Sequence, residues 1–495
     1  MTQPALTLTL LLHVSTLILL PTTFARYAAV PPLGWSTWCT GGSCGQPDRS
    51  GNMHDVCNEI EIKEMANAMI SNGMQQAGYN LISLDDCWGA VERTASNRIA
   101  ADLKRFPSGN GTMTELASYL HQRGFLLGLY LTAGNETCST GNRDIPKEPN
   151  ARGIPGSCSA RAPNVAKCKS QYQQDVDDVI GWGTDMIKLD WCKFNVEPGD
   201  PSVSVQNLTT AFGTALYNTG NDIYYNFHCE ASFAAWCPLA GKGENLQRSN
   251  VSSNVSSNVS SNMSSNVSVG WRIYKDHHDT WNSTSSIIEV LGQVANNSQP
   301  FAYGDADFLM TGGAGCDLSP AFQPGIRCPG QTEVEYRTEV SLWAVGAAPM
   351  VVATDVRQLT PFMEATLLHD EILAISQDPL VHSQGLINQL SISVSVWSRK
   401  LIKVPEGIYN ILPRIAVAIY NSGETMVSVV FPFALLFNGD ANAFVTIRNI
   451  WQRRDLGRFK IHDTKWNPWP IVRLESHATQ VFVLQCSSLN NCHIN

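Results

Sequence analysis

The first three-quarters of the chain alternate short apolar runs with stretches of helical periodicity. Residues 79–84 (Tyr-Asn-Leu-Ile-Ser-Leu) read as a strand and follow a helical stretch over 59–76. Residues 125–131 repeat this after a helical 112–123, and residues 185–189 after a helical 171–180. Further strands fall at 223–227 and 271–273. Runs that are apolar at nearly every position and separated by helices belong to strands buried on both faces. Alternation on this scale predicts an α/β fold with a parallel sheet, either open or closed into a barrel. After Ser391 the period drops to two. Segments 394–397, 415–420, 426–430, 444–447 and 479–484 are short strands with turn residues between them, which predicts a C-terminal antiparallel β-sandwich.

Two segments stand outside this pattern. Residues 5–20 are mostly apolar, are broken by His13, and are too short for a comfortable membrane span. Thr23-Phe24-Ala25 then resembles a small-x-small cleavage site. The expectation is a signal peptide over 1–25 and entry into the secretory pathway, with an extracellular, vacuolar or lysosomal destination. The second segment repeats Asn-(Val/Met)-Ser-Ser at a period of four from Asn250 to Ser268. It has no large aromatic and no charge, so it cannot bury a core; a solvated loop over 249–268 is predicted. The domains expected are therefore a catalytic unit over 26–388 carrying that insert, and a β-sandwich over 389–495.

Composition narrows the partners. Of 495 residues 43% are apolar and 16% charged, which excludes a disordered chain. The net charge of −9 leaves no basic footprint and argues against nucleic acid or a membrane surface as partner. In an oxidising compartment the fourteen cysteines should be bridged. No CxxC spacing occurs, so no metal and no cofactor is implied. Ten Asn-x-Ser/Thr sequons agree with a secretory route, although five of them belong to the one repeat.

The residues that could do chemistry lie just past the strand ends. Leu84 is followed by Asp85-Asp86-Cys87-Trp88, and Leu189 by Asp190-Trp191-Cys192. Phe227 is followed by His228-Cys229-Glu230, the 271–273 strand by Lys275-Asp276, and the stretch near 301 by Asp305-Ala306-Asp307. A single acid after a strand is ordinarily a helix N-cap. Acids after five successive strands converge on one face of a barrel, where barrel active sites lie. Clustered carboxylates without His and Cys ligand spacing leave two chemistries, calcium binding or acid/base work on an uncharged substrate, and the acids lack the tight oxygen-ligand loop spacing of a calcium site. With secretion and thirteen tryptophans, that favours a glycosidase, which needs one carboxylate as nucleophile or base and one as acid.

These residues carry a resemblance. Gly34-Trp35-Ser36-Thr37-Trp38, Leu84-Asp85-Asp86-Cys87-Trp88, Ile187-Lys188-Leu189-Asp190-Trp191-Cys192 and Trp271-Arg272-Ile273-Tyr274-Lys275-Asp276 resemble the melibiase-type α-galactosidases, glycoside hydrolase family 27. Tyr336-Arg337-Thr338, Ser341-Leu342-Trp343-Ala344, Gln377-Asp378-Pro379 and Asp455-Leu456-Gly457 continue the match in order. The resemblance implies a (β/α)8 TIM barrel with a C-terminal β domain and retaining hydrolysis of terminal α-galactosyl groups from galactoside oligosaccharides or glycoconjugates. It implies Asp190 as nucleophile and Asp276 as acid/base, with Asp85 and Asp86 on the 4- and 6-hydroxyls. Trp38 would floor the sugar, Lys188 and Arg272 would bind hydroxyls, and Asp307 and Glu230 would lie about the 2-position. It also implies Cys57–Cys87 and Cys138–Cys192 disulfides. The other cysteines pair by proximity as 39–44, 158–168, 229–237, 316–328 and 486–492.

The chain departs from the family pattern at two places. Ala231-Ser232 stands where a Trp usually follows Cys-Glu, and Gly304-Asp305-Ala306-Asp307 replaces an Asn-Asp-Pro-Asp run. Small residues at the first place are what relatives accepting N-acetylgalactosamine use, so an α-N-acetylgalactosaminidase is the nearest alternative. A catalytically inactive galactose-binding barrel is another.

Overall fold

The computed structural model describes residues 28–38, 56–90, 92–133, 137–138, 165–190, 205–229, 267–313, 330–406, 410–431, 436–439, 444–461, 470–486 and 492–494. Eight strands form one parallel sheet: β1 (Leu33–Ser36), β2 (Leu81–Leu84), β3 (Leu126–Thr132), β4 (Met186–Asp190), β5 (Ile223–His228), β6 (Val267–Arg272), β7 (Ala302–Asp305) and β8 (Met350–Val352). Their spatial order is β7-β6-β5-β4-β3-β2-β1-β8. The two ends meet just beyond β7, where Leu309 bridges in parallel to Val352. Leu309 N–H donates to Val351 O at 2.8 Å and Ala353 N–H to Leu309 O at 2.9 Å. The sheet is thus a barrel sealed by a short bridge.

Strand alternation assigns every residue to a side. Ile82 and Leu84, Ile187 and Leu189, Tyr225 and Phe227, and Val269 and Trp271 point outward into the core shared with the helices. Leu81, Met186, Tyr224 and Tyr303 point inward and pack together inside the barrel with Phe308, Met310 and Val351. Continuing the inward rows two residues at a time gives Leu81-Ser83-Asp85, Met186-Lys188-Asp190, Tyr224-Asn226-His228, Ser268-Gly270-Arg272 and Tyr303-Asp305-Asp307. The barrel floor is therefore apolar and its C-terminal mouth charged. Gly270 is required by this packing, since a Cβ there would meet Tyr224 Oη at 2.2 Å.

Local chemistry sets the helix limits. Asn58 caps the helix Glu59–Ser71 by accepting from Ile60 N and Glu61 N, each at 3.1 Å, and Ile62, Met65, Ala66 and Met69 form its buried stripe. That helix stops five residues short of the expected 76, because Gly73 takes φ +86° and turns the chain towards β2. The helix Glu333–Gly346 begins with a full capping box between Thr332 and Glu335.

The C-terminal unit is antiparallel, as expected. It contains β9 (His382–Gln389), β10 (Val394–Glu406), β11 (Asn410–Asn421), β12 (Val427–Val430), β13 (Phe437–Gly439), β14 (Phe444–Asn449), β15 (Arg454–Lys460), β16 (Ile471–Leu474), β17 (Thr479–Cys486) and β18 (Cys492–Ile494). Six of these form a sheet in the order β15-β14-β17-β11-β10-β9, and β12-β16 and β13-β18 form two small pairs. One face of the large sheet, with Trp397, Ala416, Ala418, Tyr420 and Val481, joins the barrel core. The other, with Val396, Ile415, Val417, Ile419 and Leu484, forms a separate core with Phe431 and Leu474. The antiparallel pairing begins at His382, seven residues before the boundary expected at 389. Arg399, fully buried on β10, donates to Ala344 O at 2.6 Å, Ser376 O at 3.1 Å and Asp378 O at 3.2 Å. It thereby ties the sheet to the C-terminal ends of two barrel helices.

The repeat needs a correction. Its last two residues, Val267 and Ser268, are not solvated loop: they are buried and pair with Ile223 and Tyr224 as the start of β6. Their alternation with Val269 and Trp271 outweighs the low complexity of the segment they close. The repeat before them lies outside the described residues, as do the leader at 1–25 and Glu230. Removing the four units at 250–265 should leave secondary structure and melting temperature unchanged. Extending the deletion through Ser268 should cost about 1–3 kcal/mol, seen as a lower melting temperature by circular dichroism.

Candidate active site

The inward rows bring the acids and cations predicted from the sequence to the C-terminal mouth of the barrel. Lys188 and Asp85 form a buried ion pair, with Nζ 2.6 Å from Oδ2 and neither side chain more than 9% exposed. Burial alone would lower the Lys188 ammonium, but Asp85, Asp190 and Asp307 together outweigh it and raise it. Its Nζ also lies 5.3 Å from the Trp38 ring and 5.0 Å from the Phe308 ring. The direct partner of Lys188 is thus Asp85, two strands away past the end of β2, not Asp190 on its own strand. Deleting either member would strand a buried charge, at a cost of about 3–5 kcal/mol.

Asp190 closes β4 and is held from several sides. Its carbonyl accepts from Ala133 N at 2.9 Å. Its carboxylate Oδ1 lies 3.0 Å from His228 Nδ1, and its Oδ2 touches Cys138 Sγ at 3.5 Å. Tyr130 Oη donates to the same sulfur at 3.0 Å. Asp86 follows Asp85 with its N–H donating to Asp85 Oδ1 at 2.9 Å, and Asp85 N–H donates to Thr37 Oγ1 at 2.8 Å.

A second cluster centres on Arg272. Its Nη2 lies 3.0 Å from Asp276 Oδ1 and 2.8 Å from Asp307 Oδ2, so one guanidinium joins two acids. Asp307 is buried and also accepts from His277 N at 2.7 Å. Its own N–H donates to Asp305 Oδ1 at 2.9 Å, and Asn226 Nδ2 donates to Asp305 Oδ2 at 2.6 Å. Burial raises the Asp305 and Asp307 carboxyls, with Arg272 only partly offsetting it. Asp276 differs, being 48% exposed at the side chain. Partial desolvation would raise its carboxyl, but Arg272 and Lys188 outweigh this and hold it below the usual carboxylate range.

The expected Cys57–Cys87 bridge is present, with a Cα–Cα distance of 6.1 Å. It anchors the Asp85-Asp86 turn to the start of the helix Glu59–Ser71. Cys138 is also disulfide-bonded, while Cys192 lies outside the described residues. Sequence alone assigns no role to His228, Asn226, Tyr130 or Phe308. For His228 and Asn226 a signal is present: both stand at even spacing on the row that begins with Tyr224, as Lys188 and Asp190 do on theirs.

Six acids and two buried cations round the barrel mouth suit a polyhydroxyl ligand. Carboxylates accept from hydroxyls, the ammonium and guanidinium donate to them, and Trp38 offers an apolar face. The chain is similar to several known proteins. Human alpha-galactosidase A is 28% identical over 385 residues, 76% of this chain and 72% of that protein. Alpha-N-acetylgalactosaminidase of Gallus gallus is 28% identical over 391 residues, 76% of each chain. The crystal structure of alpha-galactosidase I from Mortierella vinacea superposes with a TM-score of 0.69 at 21% identity, covering 92% of this chain and 97% of that one. The sequence pattern of the melibiase family described as Alpha galactosidase A matches residues 30–146 and 159–378, which span the whole mouth. The chain is a member of that family, the melibiase-type glycoside hydrolases of family 27.

Proposed function

We propose that this chain is a secreted exo-α-galactosidase that works with retention by double displacement on two aspartates. The observation that carries the reading is the pair of carboxylates at the mouth: Asp190, enclosed at a strand end, lies close enough to act electrostatically on Asp276, which is exposed and ion-paired to Arg272. Asp190 attacks the anomeric carbon from a fixed strand end, and the leaving oxygen takes its proton from Asp276. Asp85, Asp86 and Lys188 hold the 4- and 6-hydroxyl side of the sugar, while Arg272 and Asp307 hold hydroxyls on the side of Asp276. Trp38 floors the ring.

The low-lying carboxyl of Asp276 sets a condition on this scheme. A general acid must carry a proton, and Arg272 opposes that in the free enzyme. A sugar hydroxyl that draws Arg272 towards itself, while displacing water from Asp276, removes that opposition at the moment the proton is needed.

Secretion is supported by the Cys57–Cys87 bridge and by the solvent exposure of the sequon residues Asn110, Asn282 and Asn296. Among the described residues no helix is long and apolar enough to cross a membrane.

Parallel assays with nitrophenyl α-galactoside and nitrophenyl α-N-acetylgalactosaminide test the substrate. The expected result is turnover of the galactoside at a kcat/KM at least about tenfold higher. The reverse order would replace the galactosidase by the N-acetylgalactosaminidase reading, and loss of both would leave a binding protein. A ratio near tenfold corresponds to about 1.4 kcal/mol, the size expected when a pocket must accommodate or reject one added group.

A further inference from the structure

We infer that His228 is a positioning residue for the nucleophile: its Nδ1–H holds Asp190 Oδ1 and helps that carboxylate to depart in the second displacement. The inference rests on the proposed double displacement and extends it to a residue outside the set of acids and cations.

The geometry is direct. His228 is the last residue of β5, inward-facing on the row Tyr224-Asn226-His228, and only 8% exposed. Its Nδ1 lies 3.0 Å from Asp190 Oδ1. An ionised carboxylate has no proton to give, so the imidazole is the donor and Nδ1 carries the hydrogen. Backbone pairing fixes both partners: β4 and β5 run in register from Met186↔Tyr224 to Leu189↔Phe227, which sets Asp190 beside His228. On its other side His228 is in register with Arg272 of β6. The Asp190 Oδ2 faces Cys138 Sγ, a disulfide sulfur with no proton to donate. The His228 N–H is thus a strong donor aimed at one oxygen of the nucleophile.

That hydrogen bond has different consequences in the two steps. In the first, Asp190 forms a bond from an oxygen to the anomeric carbon and loses its negative charge, so a hydrogen bond to the ionised form gains nothing from the charge change. In the second, water oxygen attacks the anomeric carbon while Asp276 takes the water proton. The bond between that carbon and Asp190 breaks, and the electron pair returns to the carboxylate. Charge then grows on a group already held by His228, so the hydrogen bond strengthens as the transition state is reached. Removing the donor should slow deglycosylation more than glycosylation.

The test is pre-steady-state kinetics with an activated dinitrophenyl α-galactoside on the whole enzyme. His228→Ala should show a larger burst of dinitrophenol, and a steady-state rate about tenfold to a hundredfold below wild type. Mass spectrometry should find more galactosylated Asp190 at steady state. In His228→Asn the Nδ2 takes the place of the imidazole Nδ1, so this variant should recover most of the deglycosylation rate. His228→Leu, of similar bulk but without a donor, should behave as the alanine variant does. Thermal melts establish that each variant is folded.

Equal slowing of both phases, or no rescue by asparagine over leucine, would overturn the inference and leave His228 a packing residue. Failure of the underlying reading looks different. A fluorinated galactosyl inactivator would then label a residue other than Asp190 in the wild-type enzyme itself, whatever His228 does.

Discussion

Asp190→Asn should abolish turnover with every leaving group, by about 10⁴-fold or more, because no glycosyl-enzyme can form without the nucleophile. Asp276→Asn should fail selectively. Substrates with poor leaving groups lose the proton donor and should slow by about 10²–10⁴-fold, while an activated nitrophenyl galactoside is still attacked by Asp190. Its intermediate should accumulate, because no base activates the water. Added azide should restore turnover and give α-galactosyl azide, since the second displacement returns the original configuration. The placement of the two groups favours this division. Asp190 is enclosed, with a side chain 14% exposed, and is held by a strand end and by His228. Asp276 is half exposed and tethered through Arg272, where a leaving group and water can both reach it. Proton nuclear magnetic resonance of the first product should show α-galactose from the wild-type enzyme. An inverted first product, or equal losses in both variants without azide rescue, would remove these two assignments.

Much of this site was legible because barrel strands obey a period of two. Lys188 and Asp190 had to share a face, and acids after several strands had to converge. The pairings across rows were not legible. Spacing places Lys188 beside Asp190, whereas the barrel's shear brings its Nζ to Asp85, 103 residues earlier. Neither contact by which Arg272 joins Asp276 to Asp307 follows from spacing: residues 273–276 are not helical, so the first depends on how the chain turns after β6, and the second on β6 and β7 pairing as Arg272↔Asp305. His228 is hard to see in the sequence because an imidazole beside Cys229-Glu230 is overshadowed by the acid. The element boundaries shift for local reasons: Gly73 ends a helix early, and Val267-Ser268 enter a strand although they complete a low-complexity repeat. The central barrel strands β2 to β5 and the order of the two units were readable, since burial on both faces forces apolar runs; β1 and β8, four and three residues long, are too short to give such a run and are not predicted from the sequence.

Stability should fall as pH rises from about 5 to 8, and Glu339→Gln should remove much of that fall. Glu339 is fully buried on the helix Glu333–Gly346, accepting from Met310 N at 2.7 Å and Thr311 Oγ1 at 2.8 Å. Burial pushes its carboxyl up to about 8 against those hydrogen bonds. Asp279, also buried, is pushed by desolvation to about 7 although Tyr336 Oη donates to it at 2.7 Å. For a carboxyl raised in the folded state, the stabilising proton is fully present below the unfolded value near 4.5. It is lost as pH climbs through the folded value near 8. The neighbouring His277 has the opposite sign: burial lowers its imidazole to about 3, so its contribution is lost as pH falls below about 6.5. His277 Nδ1 lies 3.6 Å from Glu339 Oε1, so comparing Glu339→Gln with wild type reads the glutamate together with its coupling to that imidazole. The amide stays neutral, keeps an acceptor for Met310 N, and turns an N–H towards Thr311 Oγ1. In urea unfolding, the stability difference between variant and wild type should move in favour of the variant by an amount on the order of 3–5 kcal/mol between pH 5 and pH 8. A constant difference would show that Glu339 titrates as an ordinary surface acid. Glu339 also bears on the active site, because the segment it holds at Met310 and Thr311 follows directly from Asp307, and Asp307 is fixed by His277 N and Arg272. Because the folded carboxyl ionises only as pH approaches about 8, any loosening of those residues, and the loss of galactoside turnover that goes with it, should begin near pH 8 in wild type and be smaller in the glutamine variant.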